Sequence, residues 1–564
     1  MRRSSAHLLS CPTMEQPGFG YAFERLGGMV RGWAEVTAPQ SGVRFDRDVE
    51  VRMRDGVVLR VNVFRPEADA KVPVIVSAHP YGKDALPRRS LLGYRAPMMY
   101  RIMRQPGRAR FSAWTSWEAP DPGYWASRGY AVVNCDLRGF HRSDGEGSVF
   151  SHQQGRDVHD VIEWIAAQPW SSGKVGMCGV SYLAISQWLA AAERPPHLAA
   201  ICPWEGFTDA YRDLGYPGGV REDGFVPFWA NNLKSETRNR DALREEQLAR
   251  PLLDAWWGEH SVDLEAIDIP ALVCASFSDH NLHTRGSFEG FRRIASRDKW
   301  LYTHRGGKWA EFYSDDALAF QSRFFDCFLK GEETGISDVP PVRLEVRDVG
   351  NVAHEVRAEH EWPLARTQWT PLYLHSDGTL CDAPAGASTE VAYDTARGRA
   401  SFSFTFRTDT EVTGPMKLRL HLEARGADDL VVFAGVRKLR DGREVVFEGS
   451  YGFGRDMVTR GWLKASHRRL DEASTPQRPV LRHDREEKLL AGEIVAAEIE
   501  LMPSATLFRA GDVLRLDVQG RYFYRRHPLL GQFPAGYELG APGTAVLHCG
   551  DTCDAHLLVP VIPR

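Results

Sequence analysis

One serine in this chain occupies a position that suits a nucleophile. Residues 175–188 read VGMCGVSYLAISQW. The stretch 175–178 has the short apolar character of a strand buried on both faces, and 183–192 reads as helix. Gly179, Val180, Ser181 and Tyr182 leave room only for a tight reversal, which pushes the Ser181 side chain clear of its neighbours so that a carbonyl can reach it. The plainer reading is a strand-to-helix junction in which Ser181 caps the helix. A hydroxyl becomes a nucleophile when a base takes its proton and an acid holds that base in the right tautomer. In a sheet of this kind the partners follow the carboxyl ends of later strands, in the order serine, acid, histidine.

The run PALVCASFSDHNL puts Asp279 at one such end, and KWLYTHRGGKW puts His304 at the next, so the expected triad is Ser181, Asp279 and His304. Each has a duller reading, Asp279 as a helix cap and His304 as a loop residue. His280 and His283 compete with His304, but they share the acid's own strand-to-helix connection and are poorly placed to receive its hydrogen bond. Asp136, in CDLRGFHRSDG, precedes the serine and reads as an organiser of that Gly-rich loop. Oxyanion donors are expected from the Tyr182 backbone N–H and, in SAHPYGKD, from the Tyr81 phenol, with His79 a weaker candidate.

The elements that must position these groups follow from periodicity. FDRDVEVRMRDGVVLRVNVFRP (45–66) alternates apolar and polar about Asp55-Gly56, a hairpin signal. Compact apolar runs at 72–78, 130–134, 175–178, 199–202, 271–275 and 300–303, with helical segments at 156–167 and 287–295, predict a mainly parallel sheet covered on both faces. Two long intervals, 81–124 and 204–263, have the size of lids or pocket walls. After Gly335 the pattern becomes period two (SFSFTF, KLRLHLE, EIVAAEIEL, VLRLDVQ), which predicts an all-β sandwich beginning near Val339-Pro340-Pro341.

Composition bounds the partners. The 564 residues exceed one hydrophobic core, and a formal net charge of −4 with dispersed Lys and Arg gives no nucleic-acid footprint. No apolar stretch is long enough to span a bilayer, and the N-terminal MRRSSAHLLSCPTMEQPGFG has no apolar stretch of signal-peptide length. Of the nine cysteines, Cys135, Cys178, Cys202 and Cys274 lie in or beside apolar runs, which favours a reducing cytoplasm. Cys549 and Cys553 lack a second ligand pair, so no metal is expected.

The elbow GVSYLAISQW, the HPYGKD loop, the segment PWEGFTDAYRD and the β-rich tail together resemble the CocE/NonD family of serine hydrolases. That family includes cocaine esterase, α-amino-acid ester hydrolases and glutaryl acylases, and is similar to the X-Pro dipeptidyl-peptidases. The resemblance implies an α/β-hydrolase fold with an inserted helical cap and a C-terminal jelly roll of galactose-binding-like type. The expected division is an N-terminal extension (1–42), a hydrolase core (43–203 and 266–338) split by a cap (204–265), and the jelly roll (339–564). It implies the roles already given to Ser181, Asp279, His304, Tyr81 and Tyr182, two-step acyl transfer and no cofactor. Two departures stand out: Ala184 where many relatives have Gly, and THRGGKW in place of the usual Gly-Pro-Trp-x-His.

Trp114, Trp117, Trp204, Phe228 and Trp229 are candidate pocket walls, or equally the aromatic core of the cap. Anchoring a free α-amine, as an X-Pro peptidase or amino-acid ester hydrolase must, would call on acids such as Glu118, Asp121, Glu205 or Asp209. The preferred reading is a general ester or amide hydrolase acting on a small molecule or short peptide. The alternatives are those two amine-anchoring activities and, from another class, an inactive binding module. Jelly-roll faces often pack on another protomer, so a homodimer is a further expectation.

Overall fold

The computed structural model describes residue 23, residues 26–27, and 34–563 apart from 92, 98–99, 102–107, 234–237, 239–241, 351, 450–454, 528–531, 533 and 551. Most of the 1–42 extension therefore lies outside the described residues. The hydrolase sheet starts with the hairpin β1 (Val43–Arg52) and β2 (Val58–Pro66), reversing at Gly56 with φ +88°. Next come β3 (Val72–His79), β4 (Ala131–Asp136), β5 (Ser171–Val180), β6 (Leu198–Trp204), β7 (Ala271–Ser276), β8 (Lys299–His304), β9 (Val342–Arg347) and β10 (Ala353–Glu359). In space the order is β1-β2-β4-β3-β5-β6-β7-β8-β9-β10, parallel from β4 to β9 and antiparallel at both ends. β3, β4 and β7 are buried along their whole length, as strands covered on both faces must be.

The covering helices that bear on the site are α1 (His152–Ala166), α2 (Tyr182–Ala192) and α5 (Thr284–Arg293); α6 (Lys308–Phe312) and α7 (Asp315–Phe325) follow β8. α2 is buried on every side, so its apolar residues run all round rather than along one stripe. The interval between β6 and β7 carries α3 (Phe225–Leu233) and α4 (Leu243–Ala249).

The C-terminal region is the expected sandwich. One sheet is built on the long strand Thr410–Arg425, paired with Val495–Phe508, Thr544–Cys549 and His556–Ile562. The other joins Arg399–Thr405, Val513–Gln519, Val431–Arg440 and Thr459–Lys464. Between them lies a separate apolar core including Leu418, Leu420, Val432, Leu501 and Leu516. β9, beyond Val339-Pro340-Pro341, pairs with β8 on one side and touches the sandwich at Arg347 and Thr506 on the other, so the two regions share a sheet edge.

Candidate active site

The reversal after β5 is as tight as the sequence demands. Ser181 has φ 61° and ψ −116°, a region costly for a residue with a side chain. Its N–H donates to Trp204 O at 3.0 Å, and its carbonyl accepts the Ala184 and Ile185 amides at 2.9 and 3.0 Å. Gly179, at φ +143°, must lack a side chain, since a Cβ there would stand 2.6 Å from Leu183 Cβ. The Ser181 hydroxyl makes no capping bond to α2, which removes the plainer reading. It lies 3.0 Å from His283 Nε2.

His283 reaches the serine because the connection after β7 is a compact turn. The Asp279 carbonyl accepts the amides of Leu282, His283 and Thr284 at 3.2, 3.1 and 3.1 Å, folding the chain back so that His283, the residue before α5, sits over the elbow. Its ring stacks on Phe207 with centroids 5.9 Å apart. Burial, reinforced by the Lys308 ammonium, holds its pKa well below the ordinary value, so the imidazole is neutral. Its Nδ1 is buried without a hydrogen-bond partner among the described residues.

The expected convergence of Ser181, Asp279 and His304 is therefore not formed. His304 is still a ladder residue, its carbonyl accepting Phe277 N–H at 2.8 Å. Its fully buried ring lies beside Trp204 and bonds Glu205 Oε1 at 3.0 Å. Burial opposes the charged imidazole, but the Glu205 carboxylate outweighs it and raises the His304 pKa. Among the described residues Asp279 holds no imidazole either: Oδ2 is 2.6 Å from Lys308 Nζ, and Oδ1 is buried without a hydrogen-bond partner. Burial raises the Asp279 pKa to about 6, against the pull of Lys308. The histidine set aside in the sequence reading, His283, is the one on the serine. The signal for it was its place at the end of the turn that Asp279 begins.

Around the elbow, the Tyr182 amide belongs to the first turn of α2, where N–H groups have no partner within the helix. The Tyr182 phenol donates to Gln154 Oε1 at 2.7 Å and its ring lies 6.1 Å, edge-on, from that of Tyr81. The Tyr81 hydroxyl accepts from Trp229 Nε1 at 3.3 Å. Its loop is pinned by Lys83, whose amide donates to Asp136 Oδ1 at 2.6 Å, and by His141 Nε2 donating to Pro80 O at 2.9 Å. Asp136 thus organises the HPYGKD loop as well as its own, where Ser143 Oγ donates to the Asp136 carbonyl at 2.6 Å.

Known proteins show the same plan. Residues 55–308 match the family described as X-Pro dipeptidyl-peptidase (S15 family), and 334–558 match the X-Pro dipeptidyl-peptidase C-terminal non-catalytic domain. A solved CocE/NonD family hydrolase from Staphylococcus aureus is 36% identical, with 99% of this chain and 100% of that one covered and a TM-score of 0.87. The chain belongs to the CocE/NonD family of serine hydrolases. Cocaine esterase from Rhodococcus sp. (strain MB1 Bresler) is 26% identical over 92% of this chain and 98% of its own. An α-amino acid ester hydrolase, 17% identical with a TM-score of 0.68 over 92% of this chain and 97% of its own, shares the fold.

Within this CocE/NonD hydrolase the aromatic candidates separate by depth. Trp229, on α3, stacks on Phe150 and Tyr182 and reaches the Tyr81 hydroxyl, so it borders the elbow. Phe228 is half-buried on the same helix. Trp204, fully buried against Tyr302 and Phe312, and Trp117, packed on Tyr100 and Trp309, are core, while Trp114 is partly buried and tilts against Phe64 at the edge of that core. Of the acids, Asp121 accepts from Ser112, Thr115 and Gly123, and Asp209 caps the turn at Tyr211 and Arg212. Glu118 takes the Trp309 indole N–H at 2.9 Å, with burial pushing its pKa to about 8, and Glu205 holds His304. A cluster with metal-ligating atoms among the described residues, Glu390, Glu423 and His548, has Arg425 ion-paired to both carboxylates.

Proposed function

We propose that this chain hydrolyses an ester or amide of a small molecule or short peptide through an acyl-enzyme, with Ser181 as nucleophile and His283 as general base. The observation that carries the reading is the 3.0 Å approach of Ser181 Oγ and His283 Nε2 at a strained elbow. As Oγ bonds to the substrate carbonyl carbon, its proton passes to His283 Nε2 and the carbonyl π pair moves onto oxygen. The Tyr182 N–H and the Tyr81 hydroxyl are the groups proposed to hold that oxyanion. Collapse breaks the bond to the leaving group, which departs with the proton from Nε2. Water, deprotonated by the same imidazole, then releases the acid and frees Ser181.

Asp121 and Asp209, being engaged in local hydrogen bonds, do not serve as amine anchors, which supports a general acyl hydrolase over an X-Pro peptidase or amino-acid ester hydrolase. The test is labelling with a fluorophosphonate probe: the parent is expected to react and Ser181→Ala to be inert. Labelling that survives Ser181→Ala, or an inert parent, sinks the enzyme reading and leaves the binding module. A simple aryl acyl ester is expected to turn over faster than an X-Pro anilide; rapid anilide cleavage with negligible ester cleavage overturns the substrate preference.

A further inference from the structure

Resting on that reading, we infer that Lys308 is the positioning residue of this site: its ammonium takes the place beside Asp279 that an imidazole was expected to fill, and fixes the turn that presents His283 to Ser181. The relay is then two residues long, with no carboxylate among the described residues bonded to the far side of the base.

Four observations support this. The Lys308 side chain is fully buried, and a buried ammonium is costly unless carboxylates offset it. Its partners include Asp279, at 2.6 Å, and Glu205 Oε2, at 3.9 Å. Asp279 is also the residue whose carbonyl gathers the amides of Leu282, His283 and Thr284, so clamping its side chain clamps the seat of the base. Finally, His283 Nδ1 has no hydrogen-bond partner among the described residues, whereas a base oriented by an acid would donate from that atom. Lys308 begins α6 in the THRGGKW segment.

The arrangement has an electrostatic consequence. A carboxylate on Nδ1 would raise the basicity of His283; a nearby ammonium lowers it, keeping the imidazole unprotonated to lower pH. The charged and titratable groups around the pair are Asp279 after β7, Glu205 after β6, His304 at the end of β8 and Glu118, with Arg460 reaching Asp279 from the sandwich. Glu205 is matched to His304, and Lys308 is the cation acting on His283.

The test is the pH dependence of Ser181 labelling by a fluorophosphonate, with kcat/KM for an aryl ester as a second measure. In Lys308→Met the acid limb is expected to move up by about one pH unit, with labelling lowered on the plateau because the turn loses its clamp and lowered further at low pH. A merely structural role lowers labelling by the same factor at every pH, and an unmoved limb overturns the inference. Should Lys308→Met fail to fold because Asp279 is left unpaired, Lys308→Met combined with Asp279→Asn removes both charges. The upward shift is expected there too, and an unmoved limb counts equally against it. Failure of the base assignment is visible separately, as parent-like labelling in His283→Gln, and it overturns this inference as well.

Discussion

At the scale of single residues, two histidines that look alike in sequence do opposite things. His283 is neutral and faces Ser181; His304 is drawn toward its charged form by Glu205. His283→Gln is expected to lower kcat/KM on an aryl ester by at least about 10³-fold, the range of a lost general base, with little change in melting temperature. His304→Gln is expected to do the reverse: it breaks a buried pair and costs about 3–5 kcal/mol of stability, while protein that remains folded keeps most of its activity. The pH dependence has a definite sign. With its folded pKa raised, His304 contributes stability that is fully present below the unfolded value near 6.5 and is lost as pH rises through the raised value. Melting curves and rates of both variants across pH 5–9 check the assignment; a large kcat loss in His304→Gln with an intact fold would return it to the role first expected.

At the scale of elements, the elbow works because two backbones approach closely. The structure accommodates the Ala184 methyl with Gly206: a Cβ added there would lie 2.6 Å from Ala184 Cβ. The strand-to-helix turn is thus tight on both sides, with Gly179 against Leu183 and Gly206 against Ala184. Gly206→Ala is expected to destabilise by about 1–3 kcal/mol through overpacking and to slow Ser181 labelling, since it pushes on the first turn of α2. Ala184→Gly in the same chain should restore most of both. Denaturant midpoints of the two single variants and the double variant measure the coupling, and additivity would show that the contact is not the cause.

Across the whole molecule, the sandwich is part of the site's support. Arg305, next to His304, is buried and donates Nη1 to Val458 O at 3.1 Å and Nη2 to Met457 O on the sandwich, with Asp456 Oδ2 at 3.5 Å. From the other side Arg460 donates to Asn281 Oδ1 at 3.2 Å, two residues from His283. Tyr522 donates to the same Asn281 oxygen at 2.8 Å. Arg305→Met leaves these carbonyls and Asp456 with a lost donor in a buried interface, so a loss of about 3 kcal/mol is expected by chemical denaturation. A variant as stable as the parent would mean that water replaces the guanidinium.

The sequence by itself determined the elements. The period of two or of 3.6 marks strand and helix locally, so β3 to β8, the Gly56 hairpin and the sandwich strands around 401–406, 417–423, 493–501 and 513–519 were legible, and the glycine before Ser181 marked the elbow. It also pointed to the strand ends where the proposed reacting groups gather, because a side chain just past a buried strand tends to emerge at the sheet's rim. What only the tertiary structure decided is which of those groups meet. A histidine in the last ladder position of β8 is held beneath the rim beside Trp204, whereas one at the end of a three-amide turn swings over the serine. Lys308 had no local signal at all. Its place depends on two carboxylates, from β6 and β7, that are far from it along the chain, and a charge's preference for its partners is a matter of distance in space.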